Sequence, residues 1–296
     1  MTKLSCVVPA YNEAASLPHL WTALRPVLQS FADWELIIVS DGSTDHTVSL
    51  AKDLQRQDKR IKVVDLRRNQ GKSAALMAGF AAASGDVIVT LDADLQDEPQ
   101  EIPKLVAALD ARSVDMVGGC KQIRRDPFIK IISSKIFNAL ANRAMGTDFR
   151  DLNCGLKAYR REVVETLDLY GDLYRFIPLL ATAQGWRVVE LPVTHRPRQY
   201  GVSKYGLRLN GAFDLLSLLL ITRYRWRPLH FFGRWGTLVT MVGLVILVYL
   251  TVLRWQGQSI GDRPLLIFGV LFVLAGLQLF FTGLLGDLIL QQRSRK

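Results

Sequence analysis

The chain has 296 residues, enough for one large domain or two small ones, and its 49% hydrophobic content with a mean hydropathy of +0.16 argues against a wholly soluble enzyme. A formal charge of +10 and a pI near 9.7 point to anionic partners: phosphates, acidic lipids or nucleic acid. Cys6, Cys120 and Cys154 are odd in number, far apart and in no metal spacing, which excludes a disulfide framework and fits reduced core residues in a cytosol-facing domain.

Leu4 to Val8 is a short apolar run ending at Pro9, which suits a buried strand. It stops too soon, with Asn12 and Glu13 just behind, to read as a signal peptide. Ala14 to Gln29 has helical spacing, with Leu17, Leu20, Leu24 and Leu28 on one side and Pro18 near its start. Trp34 to Val39 is a second strand, and the polar turn Ser40-Asp41-Gly42-Ser43-Thr44-Asp45 leads into a helix through about Asp58. Ile61 to Asp65 is a third strand, Lys72 to Ala83 an Ala-rich helix and Asp86 to Leu91 a fourth strand. Pro99 to Ala111 is a helix and Asp115 to Gly119 a fifth strand. Strands alternating with helices of this length predict a βαβ series and a mostly parallel sheet. In such sheets ligands bind outside the carboxyl ends of the strands. The set Pro9, Tyr11 and Glu13, then Asp41, then Asp92 and Asp94 all fall at such ends, so three separate motifs converge on one edge.

The Asp92-Ala93-Asp94-Leu95-Gln96-Asp97 stretch carries two carboxylates one residue apart. In extended chain they share a face, and Gln96 follows if the chain stays extended. Two hard anionic oxygens and an amide oxygen suit Mg²⁺ or Mn²⁺, with places left for substrate phosphates. An isolated Asp-x-Asp is more often a solvated acidic turn, and here the converging motifs give it meaning. It is no EF-hand, because Asp97 stands where the loop needs glycine. Gly71-Lys72-Ser73 resembles the end of a phosphate loop, but Leu66 occupies the position of the required first glycine. Gly71 instead suits a tight strand-to-helix turn.

After Gly119 the alternation ends. Lys121 to Asp126 is basic, with Lys121, Arg124 and Arg125. In 128–145, Ile129, Ile132, Ile136, Phe137 and Leu140 recur at helical spacing, which fits a core-facing helix or one lying on a membrane surface. The block Asp151 to Arg161 follows, then a strand from Trp186 to Leu191, then His195 to Tyr205. That last loop is an anion receptor by composition: Arg196, Arg198 and Lys204 offer charged donors, and Ser203 a hydroxyl. Basic residues lie beside apolar segments and no nucleic-acid motif is present, which argues against nucleic acid.

Leu207 to Ile221 is apolar, and Thr222 to Pro228 mixes arginines with aromatics, as interfacial segments do. Phe231 to Leu253 and Leu265 to Leu290 are each long enough to cross roughly 30 Å of hydrocarbon. Arg223, Arg225, Arg227 and Arg234 precede the pair, and Arg293, Arg295 and Lys296 follow it. The positive-inside rule then puts both flanks, and the N-terminal domain, on the cytosolic side. Asp287 falls near the inner end of the second span, where a charge costs less.

Six blocks carry a resemblance: Val7 to Glu13, Asp41 to Asp45, Asn69 to Phe80, Asp92 to Asp97, Asp151 to Arg161 and His195 to Tyr205. In this order they resemble family 2 glycosyltransferases, in the polyprenyl-phosphate subgroup similar to dolichyl-phosphate mannosyltransferase and the bactoprenol glucosyltransferases. The resemblance runs from about residue 3 to 206, and the two-span tail also fits. It implies a GT-A, Rossmann-like α/β fold with helices on both faces of a mostly parallel sheet, followed by interfacial helices and a transmembrane hairpin. The domains would be a cytosolic catalytic domain over 1–206, a juxtamembrane segment over 207–230, two spans within 231–290 and a basic tail over 291–296. It implies inverting, metal-dependent transfer of a sugar from a UDP- or GDP-linked donor to a polyprenyl phosphate. Pro9, Tyr11, Glu13 and Asp41 would hold the base and ribose, and Asp92, Asp94 and Gln96 the Mg²⁺ or Mn²⁺ against the diphosphate. Arg124, Arg198, Ser203 and Lys204 would grip the acceptor phosphate, and relatives form homo-oligomers. Asp94 and Asp151 carry the catalytic-site role, with Asp151 a base, a sugar-hydroxyl ligand or an orienter of the basic groups. The motifs name no sugar. Two other readings remain: a same-fold transferase acting on a lipid hydroxyl or polysaccharide, and an inactive membrane scaffold.

Overall fold

The computed structural model of the chain describes residues 2–121, 139–143, 145–196, 222, 228–261 and 263–293. The chain divides into two compact units, Met1–Leu215 and Leu216–Lys296.

The first unit is built on seven strands: β1 Leu4–Ala10, β2 Trp34–Ser40, β3 Ile61–Asp65, β4 Val87–Thr90, β5 Met116–Lys121, β6 Lys157–Arg160 and β7 Val188–Val193. Their spatial order is β3-β2-β1-β4-β6-β5-β7. Every pairing is parallel except those of β6, which runs antiparallel between β4 and β5. The fold is therefore the mostly parallel, two-faced sheet that the alternation predicts. Two-residue periodicity sorts the side chains. Leu4, Cys6, Val8, Trp34, Leu36 and Ile38 face one core, and Val7 and Val39 meet α3 on the other face.

Helix α1 (Leu17–Leu28) buries Leu17, Leu20, Leu24 and Leu28, the stripe read from its spacing, and carries a proline in its first turn. Helices α2 (Thr47–Gln57), α3 (Lys72–Ala82) and α4 (Ile102–Ala111) follow β2, β3 and β4. A 3₁₀ turn, Pro99–Glu101, precedes α4, so the helix expected from Pro99 forms in two pieces. Strands β5 and β7 end two residues later than expected because they pair in parallel as far as Lys121 and Val193. Between them lie β6, α5 (Arg161–Thr166), a 3₁₀ turn (Leu173–Phe176) and α6 (Ile177–Ala183). Cys6 and Cys154 are buried and Cys120 is half-buried, and none is disulfide-bonded. Most of the amphipathic stretch 128–145 lies outside the described residues; 139–143 is helical, with Leu140 exposed and Ala141 buried.

The second unit is a helical hairpin, α7 (Pro228–Trp255) and α8 (Pro264–Arg293). At mean hydropathies of 2.3 and 2.4 over their most apolar windows, with 17% and 11% of those windows buried, the helices turn most of their apolar surface outward. That is the composition and exposure of a membrane-spanning pair, not of soluble core helices. Gly236 allows close packing: a Cβ there would lie 2.6 Å from the Gly276 carbonyl oxygen. Asp287 accepts the Leu229 backbone N–H at 3.4 Å, which places its charge at the positive end of α7. The juxtamembrane stretch 207–230 lies outside the described residues except for 222 and 228–230, and the last three belong to α7.

Candidate active site

The carboxyl ends of β1, β2 and β4 form one rim, with Ala10 opposite Ser40 and Val7 opposite Thr90. The turns leaving that rim are tied to one another. Beyond β1, the Asn12 backbone N–H donates to Ser43 Oγ (3.1 Å) and the Glu13 N–H to Thr47 Oγ1 (2.8 Å). Beyond β2, Asp41 accepts the backbone N–H groups of Gln70 (2.8 Å) and Gly71 (2.9 Å). Gly71 has φ +91°, a conformation that favours glycine, and stands immediately before α3 as its N-cap. The rim opens into a cleft of about 290 Å³ lined by Pro9, Tyr11, Glu13, Asp41, Asp92 and Asp94. Six residues singled out from separate motifs thus meet in one cavity. Asn69, Lys72 and Asp172 also line it.

β4 stops at Thr90, so Asp92 and Asp94 stand in the turn beyond it. The extended continuation expected at Gln96 does not occur. Leu95 adopts φ +59°, and Asp94 Oδ1 accepts the Gln96 N–H at 3.1 Å, closing a local turn that competes with extension. Gln96 does not line the cleft, and its side-chain amide donates to the Arg196 carbonyl at 3.4 Å.

Asp92 is held by Lys72, whose Nζ lies 2.6 Å from Oδ1 and 2.8 Å from Oδ2. Gly155 backs the same carboxylate so closely that a Cβ there would lie 2.5 Å from its carboxyl carbon. Burial opposes charge on Asp92, but Lys72, by charge and hydrogen bond, and then the charges of Lys157 and Lys121 outweigh it and hold the carboxyl below its ordinary pKa. Lys157, on β6 opposite Thr90, is 4% exposed and donates to the Cys154 carbonyl. Burial pushes its pKa down. Lys72, Lys157 and Gly155 carry no sequence signal as single residues. The usable signal for Lys72 was its place, just after β3 on the same edge as the acids.

Asp151 is buried but is not among the residues lining the cleft. It accepts backbone N–H groups from Asn153 (3.2 Å) and, at the end of β5, Lys121 (3.4 Å). Burial disfavours the Lys121 charge, yet Asp151, then Asp97, outweigh it and raise its pKa. Glu190 receives the backbone N–H groups of Arg150 and Asp151 at 2.7 and 2.9 Å. Burial, reinforced by the Asp151 charge, pushes the Glu190 pKa up. The segment after β7 is fastened to the acidic loop. Asp97 and His195 form an antiparallel bridge with His195 Nδ1 3.0 Å from Asp97 Oδ1, and the Arg196 N–H donates to the Gln96 carbonyl at 2.7 Å. Arg124, Arg198, Ser203 and Lys204 lie outside the described residues. Among those described, no three His, Cys, Asp or Glu side chains cluster as a complete metal cage.

Residues 5–168 match glycosyl transferase family 2. The chain is 38% identical over 295 residues to dodecaprenyl-phosphate galacturonate synthase of Rhizobium johnstonii, covering 97% of this chain and 87% of that protein. It is 39% identical over 293 residues to undecaprenyl-phosphate 4-deoxy-4-formamido-L-arabinose transferase of Salmonella choleraesuis, covering 97% and 88%. Among solved structures, glucosyl-3-phosphoglycerate synthase from Mycobacterium tuberculosis, in complex with Mn²⁺, UDP-glucose and phosphoglyceric acid, is similar. The TM-score is 0.55 at 25% identity, over 74% of this chain and 79% of that one.

Proposed function

The chain belongs to glycosyl transferase family 2, and from that premise we propose that it transfers a sugar from a nucleotide sugar to a polyprenyl phosphate at the cytosolic face of a membrane. The observation that carries this reading is that two relatives named for polyprenyl-phosphate chemistry align over 97% of the chain, cleft and hairpin together. A polyprenyl tail stays in the bilayer, so its transferase needs a membrane anchor, and the arginine-flanked hairpin supplies one.

The reaction breaks the bond from the anomeric carbon to the donor phosphate and forms one to an oxygen of the acceptor phosphate, with inversion. A phosphate monoester has a second pKa near ~6, so the nucleophile is mostly ionised at pH 7 and needs no general base. The demand on the protein is to bring two anionic phosphates together in line. Tyr11, Glu13 and Asp41 lie where the β1 and β2 turns would hold the base and ribose. Asp92 and Asp94 offer hard carboxylate oxygens on the cleft, a donor set that fits Mg²⁺ or Mn²⁺ with the remaining positions left to phosphate and water. When bound, that ion would neutralise charge on the leaving diphosphate as a Lewis acid. Gln96 joins this set only if the Leu95 turn opens. Arg198, Ser203 and Lys204, with Arg124, are assigned to the acceptor phosphate. Asp151, whose charge acts on Lys121, is assigned as the orienter of that lysine.

The test uses the full chain in detergent with Mn²⁺, undecaprenyl phosphate and a panel of UDP- and GDP-sugars that includes uronate and 4-formamido-arabinose donors, read by mass spectrometry. A lipid-linked sugar from one donor, lost with EDTA, is the expected result. Nucleotide release without a lipid product would move the acceptor to a lipid hydroxyl or a polysaccharide. No turnover of any donor would leave an inactive scaffold.

A further inference from the structure

Lys72 is the first residue of α3, and its ammonium contacts both oxygens of Asp92, at 2.6 and 2.8 Å. The seat is built around it. Its side chain is 15% exposed, and Nζ stands 5.0 Å from the Tyr174 ring centroid. The Tyr174 backbone N–H donates to Ser73 Oγ at 3.1 Å, so that ring is tied to the helix that carries Lys72. On the far side the carboxylate packs against Gly155, where even a Cβ would lie 2.5 Å from its carboxyl carbon.

A divalent ion that takes Asp92 must therefore share it with an ammonium or displace it. Two cations on one carboxylate repel strongly at low effective dielectric. The lysine stem is flexible, and its root lies at a helix N-terminus, where anions are favoured. Resting on the reading of this cleft as a metal–diphosphate site, we propose that Lys72 is a resident counter-ion of Asp92. It holds the carboxylate in the donor-free protein and swings to the donor diphosphate as the metal takes its place. Metal alone must break the Lys72–Asp92 ion pair, whereas metal with a diphosphate brings the displaced ammonium a new and more highly charged anion. Metal and nucleotide then bind cooperatively, each raising the affinity of the other.

The experiment is Mn²⁺ binding to the full chain in detergent, followed by electron paramagnetic resonance with and without UDP. Calorimetry of UDP with and without Mn²⁺ gives the reciprocal measurement, and thermal unfolding confirms that each variant is folded. In the wild type, UDP is expected to tighten Mn²⁺ binding to the protein by about tenfold. Lys72→Met, or Lys72→Gln should the first variant not fold, removes the competitor and is expected to tighten Mn²⁺ binding without UDP by about fivefold while the coupling shrinks. Lys72→Arg keeps a cation and should keep the coupling. Unchanged or weaker Mn²⁺ binding in the uncharged variants, while Asp94→Asn still removes binding, would overturn the inference and leave the metal site standing. Absence of Asp94-dependent Mn²⁺ binding in every variant would overturn the metal site, and the inference with it.

Discussion

One sheet carries two carboxylates paired with lysine at opposite ends of its parallel strands, one buried and one half-buried. Glu35, second residue of β2 at the amino edge, is 3% exposed. It accepts from Ser5 Oγ (2.6 Å), Ser84 N (2.6 Å) and Ser84 Oγ (2.9 Å), and pairs with Lys62 at 2.7 Å. Asp92, at the carboxyl edge, has Lys72 as its one hydrogen-bonding partner among the described residues, and it opens on a cleft. The amino-edge acid is closed off by serines and lysine and does a structural job. The carboxyl-edge acid keeps coordination capacity in reserve. The rule that ligands bind at the carboxyl ends of parallel strands thus has a local counterpart in how completely each acid is satisfied.

The largest effect expected from breaking this asymmetry is at the open edge. Asp94→Asn should lower the rate of lipid-linked sugar formation by about a thousandfold with the melting temperature nearly unchanged, because it removes charge that acts on the reacting diphosphate. Loss of stability with retained turnover would reverse the assignment of the two edges.

Next comes the closed edge. Burial would raise the Glu35 carboxyl, but Lys62, Ser5 and Ser84 outweigh it and hold it at about 2 against an ordinary 4.5. A depressed folded pKa means that the native state binds fewer protons than the unfolded one between those values. The stabilisation, about 3 kcal/mol, is therefore whole above pH 4.5 and is lost as pH falls towards 2. Glu35→Gln should shift the folding equilibrium by about a hundredfold at neutral pH and flatten the acid limb of a denaturation series, while kcat of the folded fraction stays put. An acid limb that persists in the variant would place that titration elsewhere.

A smaller effect probes the wall behind the open acid. Gly155→Ala puts a methyl against the Asp92 carboxylate, so that carboxylate or the 151–155 loop must move. Turnover should fall by about thirtyfold, with a smaller fall in stability. Unchanged turnover would mean that the position of Asp92 is not critical.

The open edge was legible because each of its acids directly follows a β-rich run, so the parallel-sheet rule alone gathers Pro9, Tyr11, Glu13, Asp41, Asp92 and Asp94. Other features were not legible, for physical reasons. β6 reads Lys157-Ala158-Tyr159-Arg160, two cations in four residues, and nothing local predicts that Lys157 is buried or that the strand runs antiparallel. The place of Gln96 depends on whether the chain stays extended past Asp94, and its sequence does not show that the Asp94 carboxylate competes for its backbone N–H. Lys72 sits in a stretch that mimics a phosphate loop, and nothing local ties it to Asp92 twenty residues on. Pairs such as Asp97 and His195, ninety-eight residues apart, exist only in the folded chain.

That last pair gives the smallest expected effect and the finest test of the comparison. From Thr194 to Arg196 the chain is fastened to the acidic loop and the turn after it. Thr194 donates to Glu101 Oε1 from N (3.0 Å) and Oγ1 (2.9 Å), His195 meets Asp97, and Arg196 Nε meets Glu98 Oε1 at 2.6 Å. Arg198, Ser203 and Lys204, assigned to the acceptor phosphate, follow directly in sequence. Loosening the strap should therefore disturb the acceptor before the donor. His195→Gln, and separately Asp97→Asn, should raise KM for the polyprenyl phosphate by about fivefold, the worth of one hydrogen bond, with UDP and Mn²⁺ affinities unchanged. Were the donor affinities to fall instead, with the lipid KM unmoved, the strap would belong to the same machinery as Asp94, and the open edge would extend beyond the ends of β1, β2 and β4 to that of β7.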